Sequence, residues 1–542
     1  MRLALLLLLQ ASPVLQQPDS LLMRRVDSVF AQWNHPNTPG CALGVDRGGT
    51  PLLRRAYGLA NLETGTPWTI GTLSESGSVA KQFVAGAIVL LARDGAFTLD
   101  DDITRWIPEA KGFGKKITIR NLLSHTSGIP DRYTLHAVQG RPAGQTDHTN
   151  AEVLDLVSRL RDLNFDPGDD YEYSNTGLII AATLLERASG KSLQAFTQER
   201  LFKPLGMNDT RWREDHRTVV PGRASAYEGT LARGFTNDHP FTRVIGSGGL
   251  LTTVDDFLKW EAALQSGAGP WGSVRDSLEQ GMRLNDGTQL SYGLGVGVGI
   301  QRGVRVISHT GSTGGYRAAL YRFPEQQVSL ALLCNLGSIN PTAVAQGVGS
   351  IVLGPALAAA ETDPAGITLS GPALVALAGV YHSPRTEQVL VLSVLNGSLQ
   401  DSLGRIPLIP LSTTKFKYRG SQRTLTIVPG SPAKIRLEAP NTRMVEYVAV
   451  PRARQESLAA YAGDYRSPEL DARFHLIVAR DTLQLDRGWE APVPFLPLYR
   501  DGFSAGDFGL VRFERDRQGR VSGMVLSAGR VRHLHFERAV SP

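Results

Sequence analysis

Residues 76–95 read Ser76-Gly77-Ser78-Val79-Ala80-Lys81-Gln82-Phe83-Val84-Ala85-Gly86-Ala87-Ile88-Val89-Leu90-Leu91-Ala92-Arg93-Asp94-Gly95, and their reading decides the fold. From Phe83 to Ala92 every residue is apolar or glycine. A helix without a polar face must be wrapped by protein on all sides, and Gly95 stands where such a helix stops. At its start Ser78 and Lys81 stand at i and i+3 and share a face. Burial disfavours the charged amine, so Lys81 can take the Ser78 hydroxyl proton and create a nucleophile. The open N–H groups of a first helical turn favour negative charge developing beside it.

Spacing alone does not select this pair, because Ser-x-x-Lys also occurs at Ser412/Lys415 and Ser431/Lys434. Context does. Ser412 leads into Thr413-Thr414 and Ser431 precedes Pro432, in stretches that read as strands and turns, whereas Ser78 opens a long apolar helix.

Upstream, Leu22, Val26, Val29, Phe30 and Trp33 recur at helical spacing, which predicts a helix from about Ser20 to Trp33. Cys41–Val45, a Gly48-Gly49 turn and Leu52–Tyr57 read as a hairpin. Downstream, residues 99–131 read as a short helix, a loop and a second helix start. His125, inside Ser124-His125-Thr126-Ser127-Gly128, reads as a hydrogen-bond donor fixing that turn. A helix is expected from Ala151 to about Leu163. The turn-rich run Pro167–Gly177 leads into an apolar helix, Leu178 to Ala188. Tyr173 and Asn175, two apart in an extended loop, would project the same way. A phenol beside a neutral lysine relays protons, and a carboxamide holds a substrate amide. The plain alternative for Tyr173 is loop packing. Gly246–Thr253 opens a helix from Val254 to Leu264. Val304–Ser308 reads as a strand ending in His309-Thr310-Gly311-Ser312-Thr313-Gly314-Gly315, and two further strands follow, Tyr316–Phe323 and Gln327–Leu336. Such glycine density suits backbone laid against a ligand, and the Gly-Lys-Ser/Thr ending of a phosphate loop is absent.

The chain has 542 residues, 42% hydrophobic and 20% charged, the balance of a globular protein of two or three domains. Its net charge is +6, carried by residues 372–542, where 23 Lys and Arg face 16 Asp and Glu. Those arginines are spread singly along strands, which excludes a concentrated nucleic-acid footprint. Two cysteines, Cys41 and Cys334, are too few for a disulfide scaffold and read as small core residues, with one bond between them left open. Met1-Arg2 followed by Leu3–Leu9 has the pattern of a secretory leader over residues 1–16, so periplasmic or extracellular residence is expected and cytoplasmic residence stays open. No other run reaches the length of a membrane span.

Ser78-Val79-Ala80-Lys81, Tyr173-Ser174-Asn175 and His309-Thr310-Gly311, in this order, resemble the serine β-lactamase-related hydrolases of the class C and D,D-peptidase type. The resemblance covers residues from about 20 to 355 and includes the Ser-His-Thr-Ser-Gly-Ile and Gly-Gly-Leu-x-Thr-Thr stretches. It implies an α+β fold, with helices flanking an antiparallel sheet. It implies that Ser78 is the acylated nucleophile and that Lys81 and Tyr173 share general-base and general-acid work. Asn175 would position the substrate amide, and His309, Thr310 and Gly311 would form the strand edge against which substrate lies. The N–H groups of Ser78 and Ser312 would form the oxyanion hole, and neither metal nor organic cofactor is implied. One departure matters: the family's β-lactamases carry Lys-Thr-Gly at the third position, and this chain has none. Histidine there is largely neutral at pH 7, so β-lactam turnover ranks last, behind hydrolysis of D-amino-acid peptides or amides and of small esters.

Gly354–Gly371 reads as a linker, with 356–371 separating the first domain, 17–355, from a repeat. Ala378-Gly379-Val380-Tyr381-His382-Ser383-Pro384 matches Ala462-Gly463-Asp464-Tyr465-Arg466-Ser467-Pro468 at an offset of 84. Each copy, 372–452 and 456–542, reads as a small antiparallel barrel or sandwich. The arrangement is similar to D-aminopeptidases of the family. The copies would support the first domain, cover part of its mouth, or bind cell-wall material or another protein. Gly502-Phe503-Ser504-Ala505-Gly506 matches a nucleophile elbow but lacks the helix the elbow requires. The rivals to an exported hydrolase of peptide or small-molecule substrates are a sensor that keeps the fold without turnover and a β-rich adhesion protein.

Overall fold

The computed structural model describes residues 20–142, 144–403, 405–451, 457–488 and 491–539, so the expected leader lies outside the described residues. Six antiparallel strands make the main sheet: β1 (Cys41–Arg47), β2 (Thr50–Tyr57), β3 (Gly297–Gln301), β4 (Val304–Thr313), β5 (Tyr316–Phe323) and β6 (Val328–Cys334). Their order is β3-β4-β5-β6-β1-β2, so strands from both ends of this region meet in the middle. The helices that matter here are α1 (Ser20–Phe30), α2 (Lys81–Arg93), α3 (Arg132–Val138), α4 (Asn175–Ser189), α5 (Val254–Ser266) and α6 (Pro341–Leu353).

Central β6, Val-Ser-Leu-Ala-Leu-Leu-Cys, is buried along its whole length because both faces are covered. Leu330, Leu332 and Cys334 pack with Val26 and Phe30 of α1 and Val344 of α6. Ala331 and Leu333, one residue out of phase, pack with Phe257 and Leu258 of α5. α2 runs through this second layer and is buried from Lys81 to Leu91. Packing, at about 1.5–3 kcal/mol for each large apolar side chain, holds this valine-, isoleucine- and glycine-bearing segment helical.

Cys41 and Cys334 are register partners on β1 and β6 and are joined by a disulfide, so they are a bonded pair rather than two separate core residues. The strand expected to end at Ser308 continues through Thr313, because His309–Thr313 all pair with β5. The segment expected as a plain linker runs over the first barrel, where Lys417 bonds Asp363 at 2.5 Å, and it ends in a short helix, Gly371–Leu377.

Each copy of the repeat is a closed eight-stranded barrel, the first from Gly379–Ser383 to Val445–Val450 and the second from Gly463–Ser467 to Val531–Arg538. The apolar cluster of the second barrel is continuous with that of the N-terminal region. Its last hairpin joins Val521–Ala528 to Val531–Arg538 through the two-residue turn Gly529-Arg530, with Gly529 at φ 51°. This turn is held by Asn164, which accepts from Arg532 N–H at 2.8 Å and donates to the Arg530 carbonyl at 2.9 Å. Among the described residues no helix is long and apolar enough to cross a membrane.

Candidate active site

Ser78 lies on a 3₁₀ turn, Gly77–Ala80, that runs directly into α2 and so aims the Ser78 and Lys81 side chains at one point. Lys81 Nζ bonds Ser78 Oγ at 3.0 Å, Asn175 Oδ1 at 2.8 Å and the Ser247 carbonyl at 2.7 Å. Burial holds the Lys81 pKa well below its ordinary value; Asp131 opposes this, and Arg530 and Arg132 add to it. A neutral amine has two N–H groups and one lone pair. The amide oxygen of Asn175 and the carbonyl of Ser247 can only accept, so they take the two N–H groups and leave the lone pair for the Ser78 hydroxyl proton. Protonated, the same amine donates to all three partners. One geometry therefore serves both states of a base.

Asn175 is the first residue of α4, not part of an extended loop with Tyr173; Ser174 caps that helix. Asp131 orients it, accepting from Asn175 N–H at 2.6 Å and from Nδ2 at 2.9 Å. This fixes the amide so that Oδ1 faces Lys81. Tyr173 packs over the same point, with Lys81 Nζ 4.9 Å from its ring centre and its hydroxyl facing Ser78. Burial raises the Tyr173 pKa, so it rests as a phenol and can donate a proton.

β4 closes the other side. A Cβ on Gly77, which sits at φ 49°, would come within 2.6 Å of Ser312 N. A Cβ on Gly311 would lie 2.9 Å from Ser78 N. Glycine at both positions lets strand and turn touch, and it brings the backbone nitrogens of Ser78 and Ser312 to one place, the geometry an oxyanion requires. The Gly246–Gly249 turn reaches the cavity through Ser247 and Gly248. Gly246, at φ 103°, would clash with Ala182 and Leu178 of α4 if it carried a Cβ, and the tight turn delivers the Ser247 carbonyl to Lys81.

A hydrogen-bond chain fixes His309. His125 Nδ1 accepts from Ser174 N–H at 3.2 Å, so its proton is on Nε2 and is donated to Tyr292 Oη at 3.2 Å. Tyr292 then donates to His309 Nε2 at 3.0 Å, and His309 Nδ1–H donates to the Thr310 carbonyl at 2.7 Å. His125 therefore fixes its loop as an acceptor as well as a donor. Burial, with Lys81 beside it, lowers the His309 pKa to about 3, and His125 is also held well below its ordinary value by burial. Both rings are neutral at pH 7.

The cluster opens into a cavity of about 820 Å³. Its walls come from Asp131–Thr134, from Asp238–Thr242 and from Gly529 and Arg530 of the second barrel. Asp131, Ser247, Tyr292 and Arg530 also belong to the site, and none of the four carries a local signal in the sequence: Ser247 acts through its backbone carbonyl, Asp131 through its bonds to Asn175, and Tyr292 and Arg530 arrive from distant segments. Ser412 accepts from Lys415 N–H at 3.0 Å in a turn between barrel strands, and Lys434 pairs with Glu446 at 2.8 Å, so the other two Ser-x-x-Lys matches are surface features.

Fold and site together define a serine hydrolase. The chain belongs to the beta-lactamase family, whose model matches residues 26–347. It is 26% identical over 530 residues to the D-aminopeptidase of Brucella anthropi, covering 93% of this chain and 96% of that one. Among solved structures, the octameric penicillin-binding protein homologue from Pyrococcus abyssi aligns with a TM-score of 0.55 and 22% identity, over 79% of this chain and 99% of that one. The D-amino acid amidase from Ochrobactrum anthropi SV3 aligns with a TM-score of 0.51 and 23% identity, over 61% and 99%.

Proposed function

We propose that the protein hydrolyses the amide bond that follows a D-amino acid, through an acyl-enzyme on Ser78. The observation that carries this is Lys81, buried, with its pKa held well below its ordinary value, and bonded to Ser78, in a chain aligned along nearly its whole length with a D-aminopeptidase. Ser78 Oγ attacks the substrate carbonyl as its proton passes to Lys81 Nζ. The tetrahedral oxyanion forms against the Ser78 and Ser312 N–H groups. Tyr173 gives its proton to the leaving amine and recovers one from Lys81, and water then releases the D-amino acid by the reverse relay. Asn175 holds the acyl portion and His309–Gly311 the strand edge. A neutral His309 offers no cation for an antibiotic carboxylate, which speaks against β-lactam turnover.

The same reading places the protein in the periplasm or outside the cell, on cell-wall type peptides. It is supported by the Cys41–Cys334 bond, a kind of bond that persists in oxidising compartments, and by the apolar run Leu3–Leu9.

Initial rates of wild type and Ser78→Ala on D-alanyl p-nitroanilide, L-alanyl p-nitroanilide, a p-nitrophenyl ester and a cephalosporin test this. D-Alanyl turnover that exceeds L-alanyl turnover and falls at least a thousandfold in Ser78→Ala is expected. Turnover that favours the L-substrate, or that survives Ser78→Ala, overturns it.

A further inference from the structure

Arg132, the first residue of α3, lines the cavity as a buried cation with no counter-ion among the described residues. It is 1% exposed, and among those residues neither its Nε nor its Nη1 has a hydrogen-bond partner. Its guanidinium lies 4.1 Å from the centre of the Tyr133 ring. A charged group taken out of water with two of its three nitrogens unbonded is far costlier than one that is fully paired, so such a site is completed by an anion.

Among the described residues the neighbouring groups do not supply that anion. Asp131 accepts from Tyr133 N–H through Oδ1 and from Asn175 through Oδ2, and Oδ2 also faces Arg530 at 3.9 Å. Glu152 pairs with Arg141 and caps its own helix through Thr149. His136 and His148 stack 3.8 Å apart and are held below their ordinary pKa by burial, with Arg132 contributing to both. Of the charged side chains lining the cavity, Arg132, Arg317 and Arg530 face Asp131 and Asp238, an excess of one positive charge. Arg317 is already bonded to the carbonyls of Gly314 and Tyr316.

Position selects which part of a substrate meets Arg132. Its own N–H donates to Thr176 Oγ1 at 2.9 Å, beside Asn175, and Asp131 bridges to Asn175 itself. Arg317, by contrast, is the register partner of Ser312 across the site. Resting on the proposed hydrolysis, in which Asn175 holds the acyl portion, we propose that Arg132 seats a carboxylate carried on the acyl side of the substrate, as on a D-aspartyl or D-glutamyl residue.

The test is a set of matched substrates: D-glutamyl against D-glutaminyl p-nitroanilide for the acyl side, and D-alanyl-D-alanine against its C-terminal amide for the leaving side. A guanidinium–carboxylate bond gives about 10- to 100-fold higher kcat/KM for D-glutamyl over D-glutaminyl. Arg132→Gln abolishes that ratio and Arg132→Lys keeps part of it. No preference in the wild type, a preference that survives Arg132→Gln, or one confined to the leaving-side pair overturns the proposal. If D-alanyl p-nitroanilide is hydrolysed while the acyl pair shows no preference, the carboxylate seat fails and the hydrolase reading stands. If no D-substrate is hydrolysed, calorimetric titration of the otherwise intact Ser78→Ala protein decides. D-Glutamate bound about tenfold or more tightly than D-glutamine supports the seat, and equal or absent binding overturns it.

Discussion

The Arg530 guanidinium carbon lies 4.6 Å from the centre of the Tyr173 ring, so the second barrel supplies a charge to the point where the N-terminal region does its chemistry. Arg530 lowers the pKa of Lys81 and of Tyr173, in each case as a smaller contribution beside burial. The barrel is a wall of the active site as well as an appendage to it.

Arg530→Ala therefore raises the pKa of the base. Lys81 must be deprotonated to accept from Ser78, so the acid limb of the kcat/KM profile moves to higher pH. Because the Arg530 side chain is 43% exposed, the loss at neutral pH is modest, at most about fivefold. Arg530→Lys restores the profile. A pH series of initial rates in which the acid limb does not move, or moves down, contradicts this role.

Asn164→Ala acts on the same arginine without touching the cavity. It strips one acceptor from Arg532 N–H and one donor from the Arg530 carbonyl. Each buried group left unmatched costs about 1–3 kcal/mol, which urea unfolding reads directly. The freed turn should reproduce the pH shift of Arg530→Ala. In the double variant that kinetic shift should not add to itself, whereas additive shifts would show that Asn164 does not act through Arg530.

Much of the fold was legible because its signals are local. The unbroken apolar run Phe83–Ala92 announced a buried helix, and the 84-residue offset announced two alike domains. Ser78, Lys81, Tyr173, Asn175 and His309–Ser312 could be named because each lies in a recognisable short run, and the structure brings all of them to one cavity or its rim. What could not be read is what arrives through tertiary structure. Asp131 matters through its bond to Asn175, Tyr292 through two histidines from different segments, and Arg530 through a turn that sequence places in another domain. The Cys41–Cys334 bond depends on β1 and β6 being neighbours, which a sequence separation of 293 does not reveal.

Tyr292→Phe removes the hydroxyl that joins His125 Nε2–H to His309 Nε2. Both nitrogens are then buried without partners, at about 1–3 kcal/mol of stability. With its ring no longer held, the strand edge loses definition, and kcat should fall about tenfold with a smaller change in KM. Unchanged stability and kinetics would remove the chain from any role.

Replacing both Cys41 and Cys334 by alanine opens a loop of nearly 300 residues. The change should cost about 2–5 kcal/mol in urea unfolding while leaving turnover in native buffer intact, since the bond lies on the sheet face packed against α1 and α6. Loss of turnover by a variant that remains folded would instead tie the bond to the site.

Acid stability follows from the buried histidines. His136 and His309 are lowered from 6.5 to about 3, chiefly by burial, and His125 is lowered further than its ordinary range in the same way. Between those values the unfolded chain binds protons that the folded chain does not, so stability rises with pH. The contribution is fully present above pH 6.5 and is lost as pH falls towards 3, with a slope approaching about 1.4 kcal/mol per pH unit for each histidine. Lys81 adds the same sign at higher pH, from its lowered folded value up to 10.5. Unfolding free energies measured from pH 4 to 7 should therefore climb steeply. His136→Gln, which lies outside the catalytic cluster, should reduce the slope by one histidine's share, and an unaltered slope would show that His136 is protonated in the folded protein across this range.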